Sequence, residues 1–151
     1  VGDCVPLTTV MAPVGPRLIT DLVMLSRRRK GIELHTPEEA ARSLLRALRR
    51  GRKVALMVDV PEAGPTLVVQ YCGGPVEVSA VPARLAAAGR VPILPASCWR
   101  EGDGWRLHIH PRVESPRGAE REVMAKVAAV LEADVRRRPQ QWYPFHEVYA
   151  G

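Results

Sequence analysis

The sequence predicts an α/β fold in which a mixed, largely parallel sheet is flanked by helices. β-Branched segments alternate with segments whose apolar residues recur at helical spacing. The nearly continuous apolar run in Lys53–Asp59 is typical of a strand buried on both faces of a parallel sheet. Glu101–Gly104 has the turn residues of a β-hairpin, which adds an antiparallel pair. With 151 residues, no internal repeat and no linker, residues 1–151 are predicted to form one domain.

The first half of the chain is predicted to contain three strands and two helices. A strand over Val5–Met11 precedes a helix over Arg17–Lys30, which ends at Gly31, and a short strand follows over Ile32–Leu34. Thr36-Pro37-Glu38-Glu39 has the pattern of a capping box with Pro at the first helical position. The second helix is therefore expected to begin there and to end at Gly51, before the strand Lys53–Asp59.

The second half continues the alternation. The predicted elements are a strand over Thr66–Tyr71, a helix over Ser79–Ala88, strands over Val91–Trp99 and Trp105–His110, and a helix over Ala119–Arg138. Gly73-Gly74-Pro75 is interpreted as a turn, and Pro139 as the end of the last helix. The tail, residues 140–149, holds four of the seven aromatic residues.

Composition favours anionic partners. Lys and Arg number 22 against 16 Asp and Glu, so the net charge is +6, and the pI is near 9.8. Basic residues cluster at the ends of three predicted helices, where they complement the helix dipole or attract phosphate groups. Modules that bind nucleic acids by stacking need exposed aromatic residues, and these are only 5% of the chain. The predicted partner is therefore an anionic lipid surface rather than a nucleic acid.

No catalytic set or metal site is visible from the residues alone. Cys4, Cys72 and Cys98 lie far apart, which disfavours a disulfide framework and a structural zinc site. His108 and His110 would lie on one face of a strand as a possible metal pair, but no carboxylate or cysteine at matching spacing completes a site. We interpret them as a solvated strand face. Asp59 ends a predicted strand, where α/β folds bind ligands, although a carboxylate that caps the loop fits equally well.

Several segments together resemble the lysophospholipid acyltransferase superfamily. The most similar branch is that of the lipid A biosynthesis lauroyl/myristoyl acyltransferases and the related phosphatidylinositol mannoside acyltransferases. The segments that carry the resemblance are Arg28-x-x-Gly31, the helix end Leu44–Gly51 with the strand Val54–Asp59, Val69-x-Tyr71-x-Gly73-x-Pro75, Pro82–Ala86 with Val91–Pro95, and Arg138-Pro139-x-Gln141-Trp142-Tyr143-x-Phe145-His146. Their order and spacing cover nearly the whole chain.

The resemblance implies transfer of a fatty acyl chain from a thioester donor, acyl-CoA or acyl carrier protein, to a hydroxyl of a membrane glycolipid or lysophospholipid, with no cofactor. It implies that Arg28, Arg29, Asp59 and Gly73 bind substrate. It also implies a peripheral location on the cytoplasmic, inner face of the cell membrane.

The family's catalytic motif is a His followed by Asp or Glu after four intervening residues, so that the carboxylate orients a general base. None of the four histidines fits, because Ala40, Val113, Ser115 and Gly151 stand at the required positions. In the family this motif precedes the region that Val5–Met11 matches. We therefore expect the motif to lie upstream of Val1, and no catalytic residue to lie in this chain, which is predicted to be inactive alone.

Two alternatives remain at this stage. The first is a non-catalytic domain of the same fold that binds lipid or a partner. The second is a basic nucleic-acid-binding domain. Self-association through an exposed apolar face is a further expectation, since a missing preceding segment would uncover such a face.

Overall fold

The structure is a computed structural model and describes residues 6–59 and 64–143. Its contacts divide the chain into two compact units, residues 1–56 and 57–151, here called the N-terminal and C-terminal units. Cys4, Val5 and the tail from Pro144, with Phe145 and His146, lie outside the described residues.

The N-terminal unit is a three-stranded parallel sheet with two helices. Its elements are β1 (Leu7–Val10), α1 (Arg17–Arg29), β2 (Glu33–His35), α2 (Ala40–Arg49) and β3 (Lys53–Ala55), and the strand order is β2-β1-β3. Thr8, on the central strand, is fully buried, and so are Leu44 and Ala47 on α2. Apolar side chains of α2 thus cover the sheet.

Helix α1 differs from α2 because none of its residues is buried. Leu18 and Leu22, one turn apart, are 70% and 54% exposed, and Ile19 and Leu25 are exposed as well. Arg27, Arg28 and Arg29 form its last turn. The helix therefore presents an apolar stripe that ends in a basic cluster.

The described part of the C-terminal unit consists of two β-hairpins, two α-helices and a 3-10 turn. Its elements are β4 (Thr66–Tyr71), β5 (Gly74–Ser79), α3 (Val81–Gly89), β6 (Ala96–Glu101), β7 (Gly104–Ile109), α4 (Glu120–Arg137) and a 3-10 turn (Pro139–Gln141). Helix α4 packs mainly on β4, and its residues Val123, Met124 and Val127 are fully buried against Val69, Val76 and Val78. This apolar cluster is the core of the unit.

The α/β class is confirmed, but the prediction of one mixed, largely parallel sheet is wrong. Only three of the described strands are parallel, whereas β4–β5 and β6–β7 are separate antiparallel ladders. The prediction overlooked β5 because Gly74 and Pro75 resemble a loop, yet Pro75 lies in the ladder opposite Gln70.

The strand predicted over Lys53–Asp59 is also shorter and less buried than expected. Strand β3 ends at Ala55, its one partner among the described strands is β1, and Met57 is 68% exposed. Lys53 and Ala55 are exposed on one face of this strand, whereas Val54 on the other face is partly buried, so the apolar run did not indicate burial on both faces.

Some of the helix and turn boundaries predicted from local sequence agree with the structure, and one predicted helix start does not. Helices α1 and α4 and the hairpin turn after Glu101 are confirmed to within a few residues. The predicted capping box does not form, because the amide of Glu39 donates to the carbonyl of Thr36 in a tight turn and α2 begins at Ala40 without a side-chain cap. Among the described residues, no helix is both long and apolar enough to span a bilayer.

Candidate functional site

Two histidines and one aspartate meet in the C-terminal unit. His108 lies on β7 and His110 directly follows it, so the two side chains share one face of the extended chain. Asp134 approaches from α4. Its Oδ2 atom lies 2.7 Å from Nε2 of His110 and 3.3 Å from Nδ1 of His108. We call these three residues the His-His-Asp cluster.

Burial differs across the cluster. The side chains of Asp134, His110 and His108 are 5%, 11% and 43% exposed. The expected solvated strand face therefore holds for His108 and not for His110. The centroids of the two imidazole rings are 4.1 Å apart.

The carboxylate of Asp134 remains ionised despite its burial. Burial raises the pKa of Asp134, but the hydrogen bonds from His110 and His108 and the charge of His110 outweigh that effect and lower the pKa below its ordinary value. An ionised carboxylate only accepts hydrogen bonds, so Nε2 of His110 and Nδ1 of His108 each donate to it. This arrangement fixes the orientation of both imidazoles, as a general base or a metal ligand requires.

An open groove of about 300 Å³ borders the cluster. Its lining consists of Trp99, Arg106, Leu107, His108, Asp134, Arg137 and Arg138. The guanidinium of Arg138 stacks on the Trp99 ring at 4.1 Å, and Arg106 pairs with Glu101. The groove is therefore basic and has one aromatic wall, which suits an anionic group.

The sequence-predicted substrate residues are divided between the units. Arg28 and Arg29 lie in the exposed last turn of α1, in the N-terminal unit. Asp59 and Gly73 lie in the C-terminal unit. None of the four belongs to the His-His-Asp cluster.

Asp59 lies at an aromatic pair. Its Oδ2 accepts a hydrogen bond of 2.9 Å from the indole nitrogen of Trp142, and the Trp142 ring contacts Tyr71 edge-on with centroids 5.5 Å apart. Burial, the neighbouring Cys72 and the charge of Asp59 raise the pKa of the Tyr71 phenol. Asp59 thus holds Trp142 in place, and its predicted role in substrate binding stays a proposal.

Gly73 forms the turn between β4 and β5. Cys72 and Gly73 both have positive φ, 52° and 95°, as a type I′ hairpin turn requires. A Cβ at Gly73 would contact no atom of the described residues within 4 Å, so conformation and not space requires glycine there.

We expect Gly73→Ala to lower the free energy of unfolding by about 1–2 kcal/mol, the cost of a left-handed conformation for an L side chain. Gly104→Ala is the matched control, because Gly104 has no positive φ and a Cβ there makes an ordinary contact of 3.9 Å. Urea denaturation followed by tryptophan fluorescence measures both. Equal effects of the two substitutions would contradict the conformational explanation.

Asp134 is the residue that sequence reasoning missed. It lies 24 positions beyond His110, so no short motif connects them. A signal was present nonetheless: Asp134 falls seven residues after Val127 and three after Leu131, on the apolar face of the helix. A charged residue on a buried face needs a partner, and the two histidines supply it.

Comparisons with known proteins point in one direction. The model of the bacterial lipid A biosynthesis acyltransferase family matches residues 1–150. A phosphatidylinositol mannoside acyltransferase of Mycolicibacterium smegmatis is 25% identical over 142 residues, which are 91% of this chain and 47% of that protein. A protein of the same name from Mycobacterium tuberculosis is 27% identical over 100 residues, which are 66% of this chain and 32% of that protein. The chain thus spans less than half the length of these curated relatives. Because the family model matches almost every residue, the chain belongs to the bacterial lipid A biosynthesis acyltransferase family.

Proposed function

We propose that this chain is part of an acyltransferase that moves a fatty acyl chain from a thioester donor to a hydroxyl of a membrane glycolipid or lysophospholipid. The family match over residues 1–150 carries this proposal. The names of the relatives favour a glycolipid of the phosphatidylinositol mannoside type as acceptor. The donor is acyl-CoA or acyl carrier protein, and no cofactor takes part.

The proposed surface partner is an anionic membrane on its cytoplasmic face. The support is helix α1, whose exposed apolar stripe ends in Arg27, Arg28 and Arg29. An apolar stripe beside a basic cluster is the arrangement of helices that lie in the interface of anionic bilayers. Arg28 and Arg29 would then contact lipid phosphates, with no role for nucleic acid.

Self-association is the other proposed use of exposed apolar surface. Besides α1, strand β7 exposes Trp105, Leu107 and Ile109, which are 76%, 62% and 55% exposed on one face of the strand. Leu107 also lines the groove, together with Arg106 and His108 of the same strand. The proposed pairing surface therefore borders the groove.

The proposed general base lies in a preceding segment of the same polypeptide, in the family's motif of His and Asp or Glu. The support is that no His of this chain has an acidic residue at the required position. The His-His-Asp cluster has a base held by a carboxylate, but its residues come from β7 and α4 rather than from one short motif. We therefore keep it apart from the proposed acyl-transfer base.

The test compares the 151-residue chain with a version extended at its N-terminus by the preceding codons of its own gene. Each is incubated with radiolabelled acyl-CoA or acyl carrier protein and with phosphatidylinositol mannoside or lysophospholipid in liposomes. We expect transfer by the extended protein and none by the 151-residue chain. Alanine substitution of the motif His in the extended protein should abolish transfer.

Two results would overturn parts of this proposal. Transfer by the 151-residue chain alone would show that the base lies within it, with His108 the first residue to substitute. No transfer by an extended protein, or no such motif encoded upstream, would favour the non-catalytic lipid- or partner-binding domain instead.

A further inference from the structure

We propose that His108, His110 and Asp134 form a binding site for a divalent transition-metal cation, for which Zn²⁺ is the best fit. The inference is independent of the proposed acyl transfer, because it concerns only the geometry and chemistry of the His-His-Asp cluster. Sequence reasoning discarded the histidine pair for lack of a third ligand, and helix α4 supplies that ligand.

The ligand atoms are already close enough to share one ion. One nitrogen of each imidazole and one oxygen of the carboxylate all lie within 4.8 Å of one another. In a tetrahedral zinc site with bonds of about 2.0–2.2 Å, neighbouring ligand atoms are about 3.3 Å apart. The distance from Nδ1 of His108 to Oδ2 of Asp134 is 3.3 Å, and that from Nε2 of His110 is 2.7 Å. Coordination therefore needs small side-chain shifts, and the proton on the coordinating nitrogen of each neutral imidazole must move to the other ring nitrogen.

A second observation comes from the other oxygen of the carboxylate. Oδ1 of Asp134 is buried and accepts no hydrogen bond from residues 6–59 or 64–143, and the guanidinium of Arg137 is 3.8 Å from it. An unsatisfied buried oxygen on a charged group is energetically costly. The hydrogen bonds from the two imidazoles compensate only part of the negative charge of Asp134. A cation bound by this carboxylate would neutralise the rest and so offset that cost.

The donor set selects the class of metal. Two imidazole nitrogens and one carboxylate oxygen suit Zn²⁺ and related transition metals, whereas Mg²⁺ and Ca²⁺ prefer sites built from oxygen atoms. Three protein ligands also leave a fourth position open, as in zinc sites that bind a water or a substrate atom. His108 and Asp134 line the groove, so that position would be reached from solvent.

The positively charged arginines of the groove repel a cation, and this repulsion lowers the affinity that we expect for the metal ion. Arg106, Arg137 and Arg138 line the same groove. Glu101 neutralises Arg106, and Arg138 stacks on Trp99, which reduces the repulsion. We expect weaker binding than in a structural zinc site, with an anion favoured at the open position because the arginines attract it.

Zinc titration of the purified 151-residue chain tests the proposal. The measurement uses a chromogenic chelator as competitor and a background in which Cys4, Cys72 and Cys98 are Ser, because thiols also bind zinc. One equivalent is expected to bind. His108→Gln should weaken binding at least about tenfold, since even loss of an outer-shell partner costs 10–100-fold in metal affinity.

The matched control is His35→Gln. His35 also contacts one carboxylate, Glu33, but lies in the N-terminal unit, so its substitution should leave zinc affinity unchanged. His110→Gln serves as a second test in case one variant misfolds, and circular dichroism confirms the fold of each. Co²⁺ in place of Zn²⁺ should give visible absorption bands typical of a four-coordinate nitrogen and oxygen site.

Stoichiometric binding that depends on both histidines supports the site. Absence of stoichiometric binding by the unsubstituted cluster would overturn the proposal. So would binding of equal affinity after His108→Gln and His110→Gln, because the zinc would then lie elsewhere. In either of those cases the cluster is a hydrogen-bonded structural group.

Discussion

Met124→Ala is expected to lower the free energy of unfolding of the C-terminal unit by about 2–5 kcal/mol, the range for truncating a large buried side chain. Met124 has no exposed surface and lies in the apolar cluster between α4 and the β4–β5 hairpin. The lost free energy has two parts. One is the transfer of the removed side-chain atoms from water to the apolar core, and the other is the cost of the cavity that remains because the packed helix cannot close onto the strand completely.

The matched control is Met57→Ala, since Met57 is 68% exposed. We expect that substitution to change stability by less than about 0.5 kcal/mol. Trp99, Trp105 and Trp142 are the only tryptophans of the chain and all lie in the C-terminal unit, so urea denaturation followed by their fluorescence reports that unit. Met124→Leu, which conserves volume, should cost less than about 1.5 kcal/mol and keeps the test valid if the alanine variant does not fold. Equal midpoints for Met124→Ala and Met57→Ala would show that α4 is not packed as described.

The elements that the sequence predicted best are those set by local chemistry. Helix α4 repeats Val123, Val127 and Leu131 at i, i+4 intervals and buries that face. The turn after Glu101 has glycine on either side of Asp103, and Gly102 takes a positive φ. In both cases the residues that form the element also carry the signal, so no distant contact can override it.

The errors arose where burial or pairing depends on residues far along the chain. Lys53–Asp59 is as apolar as an interior strand, but whether β3 has one neighbour or two is decided by the strand order β2-β1-β3. Likewise, Gly74 and Pro75 were assigned to a loop, although the turn at Cys72 and Gly73 lets the chain reverse and pair with β4. The conformational propensities of these residues predict neither the number of strands that pair with β3 nor the pairing of β5 with β4.

The candidate site shows the same limit. The histidine pair was visible at once, because alternate residues of a strand share a face. Asp134 could be connected to it only by packing, since α4 begins ten residues after His110 and the carboxylate comes from its last turns. The aspartate on the apolar face of a helix was the available clue that a polar partner had to exist.

Glu33→Gln is expected to destabilise the N-terminal unit by about 1–3 kcal/mol at pH 7, because it weakens several charged hydrogen bonds at once. Glu33 accepts two bonds from Arg50, of 2.8 and 3.1 Å, and pairs with Arg52 at 2.9 Å and His35 at 3.0 Å. Arg52 in turn binds the hydroxyl of the fully buried Thr8 at 2.8 Å. The Glu33 side chain is 29% exposed, which keeps the expected loss below that for a fully buried ion pair.

The effect should depend on pH in a defined direction. Burial raises the pKa of Glu33, but the hydrogen bonds from Arg50 and His35 and the charges of Arg50 and Arg52 outweigh it, so the pKa lies below its ordinary value of 4.5. A carboxyl whose pKa is lowered by folding stabilises the protein fully above its unfolded pKa, and that contribution is lost as the pH falls through the folded value. The difference between the native protein and Glu33→Gln should therefore be constant near neutrality and shrink below about pH 4.5.

Hydrogen exchange is the appropriate measurement, because residues 1–56 contain no aromatic residue and fluorescence cannot report this unit. Amide exchange in β1 and β2 gives the local free energy of opening at each pH. Asp21→Asn is the control within the same unit, since Asp21 is 64% exposed and pairs with Arg17 at 3.9 Å, an exposed pair of the kind worth less than about 1 kcal/mol. Two results would contradict this explanation. One is exchange in β1 and β2 that Glu33→Gln leaves unchanged. The other is a difference in stability between the native protein and Glu33→Gln that grows as the pH falls, because the ionised carboxylate of Glu33 would then not be what stabilises the parallel sheet.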